Sequence, residues 1–303
     1  MKKTKKPQLG IALGEGGARG LAHIGVLQVL EEQGYRPQHV AGTSIGAVIG
    51  AMYAETLDPF LIQERFQALV EGEEYQKTGL SRLYTFERQE TTFWDQISSK
   101  IKGTLALNLA QTRKGLLNTS RLEAILEQLI RIRDFGQCRI PFIAVATDLY
   151  WGREIPMCTG NLLRAVTASS CIPGFFPPMS HNGLYLSDGA ICCPVPVRYA
   201  LYQEDAITAA VAVPTRMERG RDPGNALDVM IRAEEVNMHY FTNSLMQFAD
   251  VAMFPETGDV AWHEIHRVKD MVQAGRQAAE EAMPRLERIY RDRGRWFSLP
   301  RLW

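Results

Sequence analysis

Short apolar runs alternate along the chain with longer segments in which apolar residues recur at helical spacing. The run 9-LGIAL-13 predicts a buried strand, and 20-GLAHIGVLQVLEEQG-34, apolar at every third position, predicts a helix that ends at Gly34. By the same reasoning we predict strands over residues 9–13, 38–42, 140–149, 153–159, 184–190, 207–213 and 249–254, and helices over residues 20–34, 45–54, 120–131 and 161–170. Such alternation is typical of an α/β fold whose mostly parallel sheet is covered by helices on both faces.

Residues 58–119 interrupt this alternation, because they are polar and carry only scattered aromatic residues. We interpret them as a variable insertion or lid. After it, Ser120 and Glu123 have the spacing of a capping box, so a helix is predicted to begin there. The organisation is therefore a single domain over residues 9–290, preceded by a basic tail (1–8) and followed by a C-terminal tail (291–303).

Two segments have the composition of membrane-contacting surfaces. The amphipathic run 97–117 is either a helix packed on the core or a docking helix whose cations meet phosphates: Lys100, Lys102, Arg113 and Lys114. The end of the chain, 295-RWFSLPRLW-303, interleaves aromatic residues with arginines, which suits a bilayer interface or the body of the same protein.

Composition narrows the function classes. Lys plus Arg and Asp plus Glu both total 34, and this balance argues against a nucleic-acid partner. The five cysteines form no C-x-x-C pair, so neither a disulfide framework nor a zinc site is expected. No apolar run is long enough to span a bilayer, and no secretory signal is evident. We expect a cytoplasmic protein; the four lysines among the first six residues are either a solvated tail or a peripheral contact with the inner membrane face.

The segment 39-HVAGTSIGAVIGA-51 carries the first chemical signal. Ser44 stands between Gly42 and Gly46 in a G-x-S-x-G pattern, which is typical of a strand-to-helix turn that presents a nucleophile. An α/β-hydrolase would take its base from a later histidine, but there several strands precede the elbow, and here only one strand and one helix do. His23 precedes the serine within the first helix, and we expect it to be structural.

A carboxylate is the alternative base. Asp188 ends a short predicted strand in 187-SDGA-190, and the carboxyl edge of a parallel sheet is where open α/β folds place their chemistry. An aspartate is ionised near neutral pH and accepts a serine proton if it is held within hydrogen-bond reach. An isolated D-G-A sequence is an ordinary turn, so the assignment depends on the other motifs.

The third motif is 14-GEGGARG-20, between the first strand and the first helix. It is not a dinucleotide fingerprint, because Arg19 occupies the last glycine position and the second strand is not followed by an acidic residue. A phosphate loop is absent as well. Backbone N–H groups of Gly16, Gly17 and their neighbours at a helix N-terminus suit an oxyanion hole beside the serine. Arg19 either adds positive charge there or braces the loop.

Together, GEGGARG, GTSIG and DGA resemble the patatin-like phospholipase family, in its bacterial cytoplasmic branch, over nearly the whole chain. The resemblance implies a three-layer α/β/α sandwich with the nucleophile elbow after the second strand, lipid acyl hydrolysis, and neither a metal nor a cofactor. It implies Ser44 as the nucleophile, Asp188 as the base, Gly16, Gly17, Ala18 and Arg19 in the oxyanion motif, and Gly14, Gly20, Gly42, Gly46 and Gly189 as motif glycines. Glu15 departs from the family pattern, and we expect it to point to solvent.

These inferences predict a serine acyl hydrolase with a Ser-Asp dyad that acts on phospholipids, lysophospholipids or related acyl lipids. The acyl chain needs an apolar channel, for which 172-IPGFFPP-178 and parts of 97–117 are the candidates. Two alternatives are an acyltransferase that uses the same serine and a catalytically silent regulatory or interaction protein.

Overall fold

In a computed structural model of the chain, the structure describes residues 7–72, 114–115, 117–201, 206–213 and 224–296. The strands are β1 (Leu9–Leu13), β2 (His39–Thr43), β3 (Phe142–Asp148), β4 (Arg153–Met157), β5 (Met179–His181), β6 (Leu184–Asp188), β7 (Ile207–Val211) and β8 (Val251–Met253). The helices are α1 (Ala22–Glu32), α2 (Ile45–Thr56), α3 (Pro59–Glu71), α4 (Thr119–Leu129), α5 (Leu162–Ser169), α6 (Val197–Ala200), α7 (Ala226–Met246) and α8 (Val268–Trp296). A short 3-10 turn at Gly17–Leu21 precedes α1.

The body of the sheet is parallel, in the order β3-β2-β1-β7-β8. In the centre, Ile11 of β1 lies beside Val40 of β2 and Ala209 of β7. Strand β1 alternates leucine and isoleucine with Gly10 and Ala12, so the sheet has one face of large side chains and one of small side chains.

Helices cover both faces, which confirms the predicted α/β fold. The main core packs α1, α2, α3 and α8 against the large-residue face. On the other face, α6 and the end of α7 cover a smaller cluster that includes Ala12 and Ala210. A Cβ on Gly10 would overlap the carbonyl oxygen of Ala200, so α6 approaches the backbone of β1 directly. Among the described residues, every helix is too short or too polar to cross a membrane.

Strand β3 is longer than its parallel neighbour, and this difference positions the site. Its first part pairs with β2, with Val145 opposite Thr43, while its last part pairs with β6, with Ala146 opposite Asp188. Strand β4 pairs with residues 144–148 along the opposite edge of β3, so β6 and β2 share one edge. Strand β6 therefore runs antiparallel towards the end of β2 and stops where β2 stops.

The structure differs from the predicted organisation at α3, α4 and α8, and several strand ends shift by one to two residues. Helix α3 lies inside the predicted insertion, because Asp58 caps its first N–H groups, Pro59 begins it, and Ile62 and Phe66 are buried. Helix α4 begins at Thr119 under the cap of Asn118, not with a capping box at residue 120. Helix α8 continues to Trp296, past the predicted domain end at 290. Residues 1–6, most of 97–117 and residues 297–303 lie outside the described part of the chain.

Candidate active site

Ser44 occupies the turn between β2 and α2, with φ 56° and ψ −124°. A positive φ is strained for a residue that has a side chain, and it marks the sharp turn that presents a nucleophile at a strand end. A Cβ on Gly42 would overlap the carbonyl oxygen of Gly46, and a Cβ on Gly46 would overlap that of Leu13. Only glycine fits at these two positions, so the predicted elbow forms as its sequence pattern requires.

Asp188, the last residue of β6, meets this serine. The Ser44 hydroxyl donates a hydrogen bond of 2.7 Å to Asp188 Oδ2. Oδ1 accepts the backbone N–H of Ala190 at 2.9 Å, and the N–H of Asp188 donates to the carbonyl oxygen of Cys171 at 3.0 Å. Asp188 is only 3% exposed. The structure thus brings together two predicted residues that are 144 positions apart in sequence.

Burial dominates the protonation of Asp188, because it raises the carboxyl pKa from 3.8 to about 7. Hydrogen bonds from Ala190 N–H and the Ser44 hydroxyl favour the charged form and lower the pKa, whereas the negative charge of Glu15 raises it. A carboxylate with a pKa near neutral is a far better proton acceptor than an exposed aspartate, and it is still partly ionised at pH 7.

Ser169, at the end of α5, holds the elbow in place. Its Oγ accepts the backbone N–H of Ser44 at 3.0 Å and donates to the carbonyl oxygen of Val145 at 2.6 Å. The same carbonyl would overlap a Cβ on Gly189, so the turn after Asp188 packs tightly here. Sequence reasoning assigned no role to Ser169; its only signal was a serine at the end of a predicted helix.

The glycine loop, residues 14–20, lies directly against the turn that carries Ser44. Gly16 and Gly17 have φ values of 147° and 56°, which residues with side chains rarely adopt. The N–H of Gly14 extends the hydrogen bonding between β1 and β7 by one residue. At the other end of the loop, a Cβ on Gly20 would overlap the side chain of Ile45, the first residue of α2. The loop and the serine are therefore neighbours.

Two backbone N–H groups at or near Ser44 already donate hydrogen bonds within the protein. Ala18 donates to the carbonyl oxygen of Trp262 at 2.7 Å, and Ser44 donates to Ser169. Ala18, which the sequence places in the oxyanion motif, thus uses its N–H to anchor the loop. No described residue accepts the N–H of Gly16. Gly17 is the first residue of the 3-10 turn, where N–H groups lack intrahelical partners, so these two glycines are the candidate donors.

Of the two charged residues of the loop, Arg19 is buried and Glu15 is half-buried. Arg19 is 4% exposed, and its Nε has no hydrogen-bond partner among the described residues. Burial lowers the pKa of Arg19 and raises that of Glu15, and the opposite charges partly offset both shifts. Glu15, which was expected to point to solvent, is half-buried, and its charge affects the pKa values of Arg19 and Asp188.

His23 is structural, as predicted. It is fully buried, and its Nε2 lies 2.8 Å from the carbonyl oxygen of Gly14. Burial lowers the pKa of His23 to about 4, so the neutral ring braces the loop. Among the described residues, no group of three or more His, Cys, Asp or Glu side chains is placed to hold a metal ion.

An apolar cluster joins the loop to the segment predicted to line an acyl channel. The rings of Phe175 and Trp262 meet edge to face with centroids 4.8 Å apart, and Phe176 is buried in the same cluster. The N–H of Leu117 donates to the carbonyl oxygen of Phe175 at 2.7 Å. The end of the 97–117 segment therefore packs on residues 172–178; an open channel remains a prediction.

Comparison with known proteins identifies relatives of the whole region. The sequence profile described as patatin-like phospholipase matches residues 11–201, which include all the candidate site residues. An uncharacterized NTE family protein of Mycobacterium tuberculosis is 30% identical over 226 residues, which cover 74% of this chain and 53% of that protein. Lysophospholipase NTE1 of Cryptococcus neoformans is 31% identical over 191 residues, which cover 63% of this chain and 10% of that protein. The chain thus spans about half the length of the mycobacterial relative.

Solved structures match over most of the chain at low identity. VipD of Legionella pneumophila is 16% identical with a TM-score of 0.41, and the match covers 91% of this chain and 67% of that one. The ExoU–SpcU complex of Pseudomonas aeruginosa is 14% identical with a TM-score of 0.45, and the match covers 95% and 52%. These likenesses concern the fold and say nothing about substrate.

Proposed function

Because the chain belongs to the patatin-like phospholipase family, we propose that it is a serine acyl hydrolase that cleaves carboxylic esters of phospholipids, lysophospholipids or related acyl lipids. The observation that carries the proposal is the 2.7 Å hydrogen bond between the strained Ser44 and the buried Asp188. A relative named as a lysophospholipase supports the substrate class.

In the first half-reaction, Ser44 Oγ attacks the ester carbonyl carbon while its proton passes to Asp188. The carbonyl electrons move onto oxygen, and the tetrahedral intermediate then collapses. The bond to the alcohol breaks, Asp188 returns its proton to the leaving oxygen, and the acyl group stays on Ser44. In the second half-reaction, water gives a proton to Asp188 and attacks the acyl carbon, and the fatty acid leaves as Ser44 regains its proton.

The developing oxyanion is stabilised by the N–H groups of Gly16 and Gly17. Their assignment is supported by the loop's contact with the elbow, and by the engagement of the Ser44 and Ala18 N–H groups elsewhere. Loss of one such donor costs about 2.7–4 kcal/mol of transition-state stabilisation in a known enzyme. Arg19 lends positive charge to the same loop.

Fatty-acid release by the purified protein tests the proposal, with Ser44→Ala and Asp188→Asn as the decisive variants. We expect wild type to release fatty acid from lysophospholipid without an added acceptor, and each variant to lose the activity by about a thousandfold or more. Ser180→Ala and Asp292→Asn are matched controls, because these residues are exposed, and they should behave as wild type.

Three results would contradict the proposal. Release that survives in folded Ser44→Ala would remove the nucleophile. Release that appears only when a thiol or alcohol acceptor is added would favour an acyltransferase. Equal inactivity of wild type and Ser44→Ala towards every acyl ester tried would favour a non-catalytic role.

A further inference from the structure

The turn between β3 and β4 exposes three consecutive large hydrophobic residues. Leu149, Tyr150 and Trp151, here called the aromatic turn, are 43%, 68% and 74% exposed. Elsewhere in the described part of the chain, no three consecutive large hydrophobic residues are exposed. A contiguous exposed apolar patch marks a binding surface more often than single exposed apolar residues do.

The aromatic turn is rigidly built. Asp148, whose side chain is fully buried, accepts the N–H groups of Tyr150 and Tyr185 through Oδ1 at 3.2 and 3.1 Å. Leu149 N–H donates to the carbonyl oxygen of Tyr185 at 2.8 Å, and the rings of Tyr150 and Tyr185 stack with centroids 5.1 Å apart. Contacts between the β3–β4 and β5–β6 hairpins therefore hold the backbone of the turn, and the Tyr150 ring is held against Tyr185.

The aromatic turn lies on the same edge of the sheet as the serine. Val145 of β3 accepts the Ser169 hydroxyl that holds the elbow, and β3 continues from there to Asp148 before the turn begins. At about 3.3 Å per residue, this extension carries the turn roughly 10 Å beyond the level of the elbow. The turn therefore projects past Ser44 at the same end of the sheet.

Cationic groups accompany the exposed rings. Lys114 places its Nζ 5.0 Å from the ring centroid of Tyr185, next to Tyr150. The side chain of Arg153 is 58% exposed, and its Nε lies 3.7 Å from the buried Asp148 carboxylate. Tyrosine and tryptophan prefer the headgroup level of bilayers, and nearby lysine and arginine suit lipid phosphates.

We propose that the aromatic turn is an interfacial anchor that inserts into the headgroup region of a phospholipid bilayer and seats the Ser44 edge of the sheet on the lipid surface. This inference rests on the proposed function for its biological purpose. Its physical claim, binding to a lipid interface, does not require that the serine be reactive.

Vesicle flotation, which measures the fraction of protein bound to lipid, tests that claim. The probe is vesicles of phosphatidylcholine and phosphatidylglycerol in equal parts, and all proteins carry Ser44→Ala so that no lipid is consumed. We expect Tyr150→Ser/Trp151→Ser to reduce the bound fraction by about tenfold, because two interfacial rings are lost. The matched control is Tyr240→Ser/Phe248→Ser, a pair that is 72% and 73% exposed on α7 and just after it, where α7 leads to the amino end of β8. The control should bind as the parent does.

A second assay separates the anchor from the chemistry. With Ser44 restored in every protein, hydrolysis of a water-soluble short-chain ester should be equal in wild type and in both double variants. Flotation of Tyr150→Ser/Trp151→Ser equal to the parent, or an equal loss in the Tyr240→Ser/Phe248→Ser control, would overturn the anchor. If wild type does not hydrolyse the ester, that result would count against the proposed function, and the flotation result would still test the anchor.

Discussion

At the scale of single residues, the proposed mechanism makes the protonation of Asp188 important for activity, and its burial makes it important for stability. Its carboxyl is buried, receives two hydrogen bonds and has a pKa of about 7. A histidine supplies a base with this pKa in other serine hydrolases, whereas here burial brings an aspartate into the same range. The proposed Ser44–Asp188 dyad thus has a base whose pKa suits catalysis near neutral pH.

The pH dependence of activity should report this pKa. Only the carboxylate accepts the serine proton, so kcat/KM for a soluble ester should rise with pH to a plateau, with a midpoint near 7. Glu15 raises the pKa of Asp188, so Glu15→Gln should move the midpoint to lower pH. The exposed Glu64→Gln is the control. An unmoved midpoint in Glu15→Gln would disprove the coupling between Glu15 and Asp188.

The same group should lower stability as the pH rises from about 4 to about 7. The folded-state pKa of about 7 exceeds the ordinary value of 3.8, so the folded protein binds this proton more tightly, and the free energy of unfolding falls as pH rises between the two values. Asp188→Asn removes that loss. At pH 8 the variant should be more stable than wild type by on the order of 2 kcal/mol, and the gain should shrink towards pH 4.

Denaturant unfolding at the two pH values measures this difference, with the exposed Asp292→Asn as the control. A gain that is equal at pH 4 and pH 8 would mean that the Asp188 carboxyl is not the source.

At the scale of elements, α5 supports the site that β2 and β6 form. Its last residue, Ser169, links the Ser44 N–H to the backbone of β3. The helix was predicted from its periodicity, but this role was not, because a bond across 125 residues has no local signature. Helix α3 was also missed, since its apolar residues are sparse beside the polar segment that follows.

Ser169→Ala should therefore weaken the elbow. The change removes an acceptor from a buried N–H and a donor from a buried carbonyl, at a cost of about 1–3 kcal/mol in unfolding free energy, and kcat should fall because the serine is held less firmly. The neighbouring Ser170→Ala is the control, since the buried Ser170 hydroxyl has no partner among the described residues. Unchanged unfolding free energy and kcat in Ser169→Ala would show that the link is dispensable.

At the scale of the whole molecule, one edge of the sheet combines the elbow, the end of β6, the glycine loop and the aromatic turn. This follows from the strand directions: β2 and β3 run parallel, so both end at this edge, and β6 arrives there antiparallel. Flotation of Tyr150→Ser/Trp151→Ser tests whether that edge faces lipid. The control residue Phe248 precedes β8 and so belongs to the opposite edge.

Local patterns in the chain were sufficient for the α/β class, the β1 boundaries, the elbow at Ser44 and the glycine loop, because periodicity and turn chemistry act over a few residues. The motifs also singled out Asp188, although the sequence could not give its distance from Ser44. Features that depend on distant segments were beyond this reasoning: the Ser169 link, the capture of Ala18 by Trp262, the partial burial of Glu15 and the pKa of Asp188. Burial and hydrogen-bond partners are properties of the packed chain, so they exist only once those segments meet.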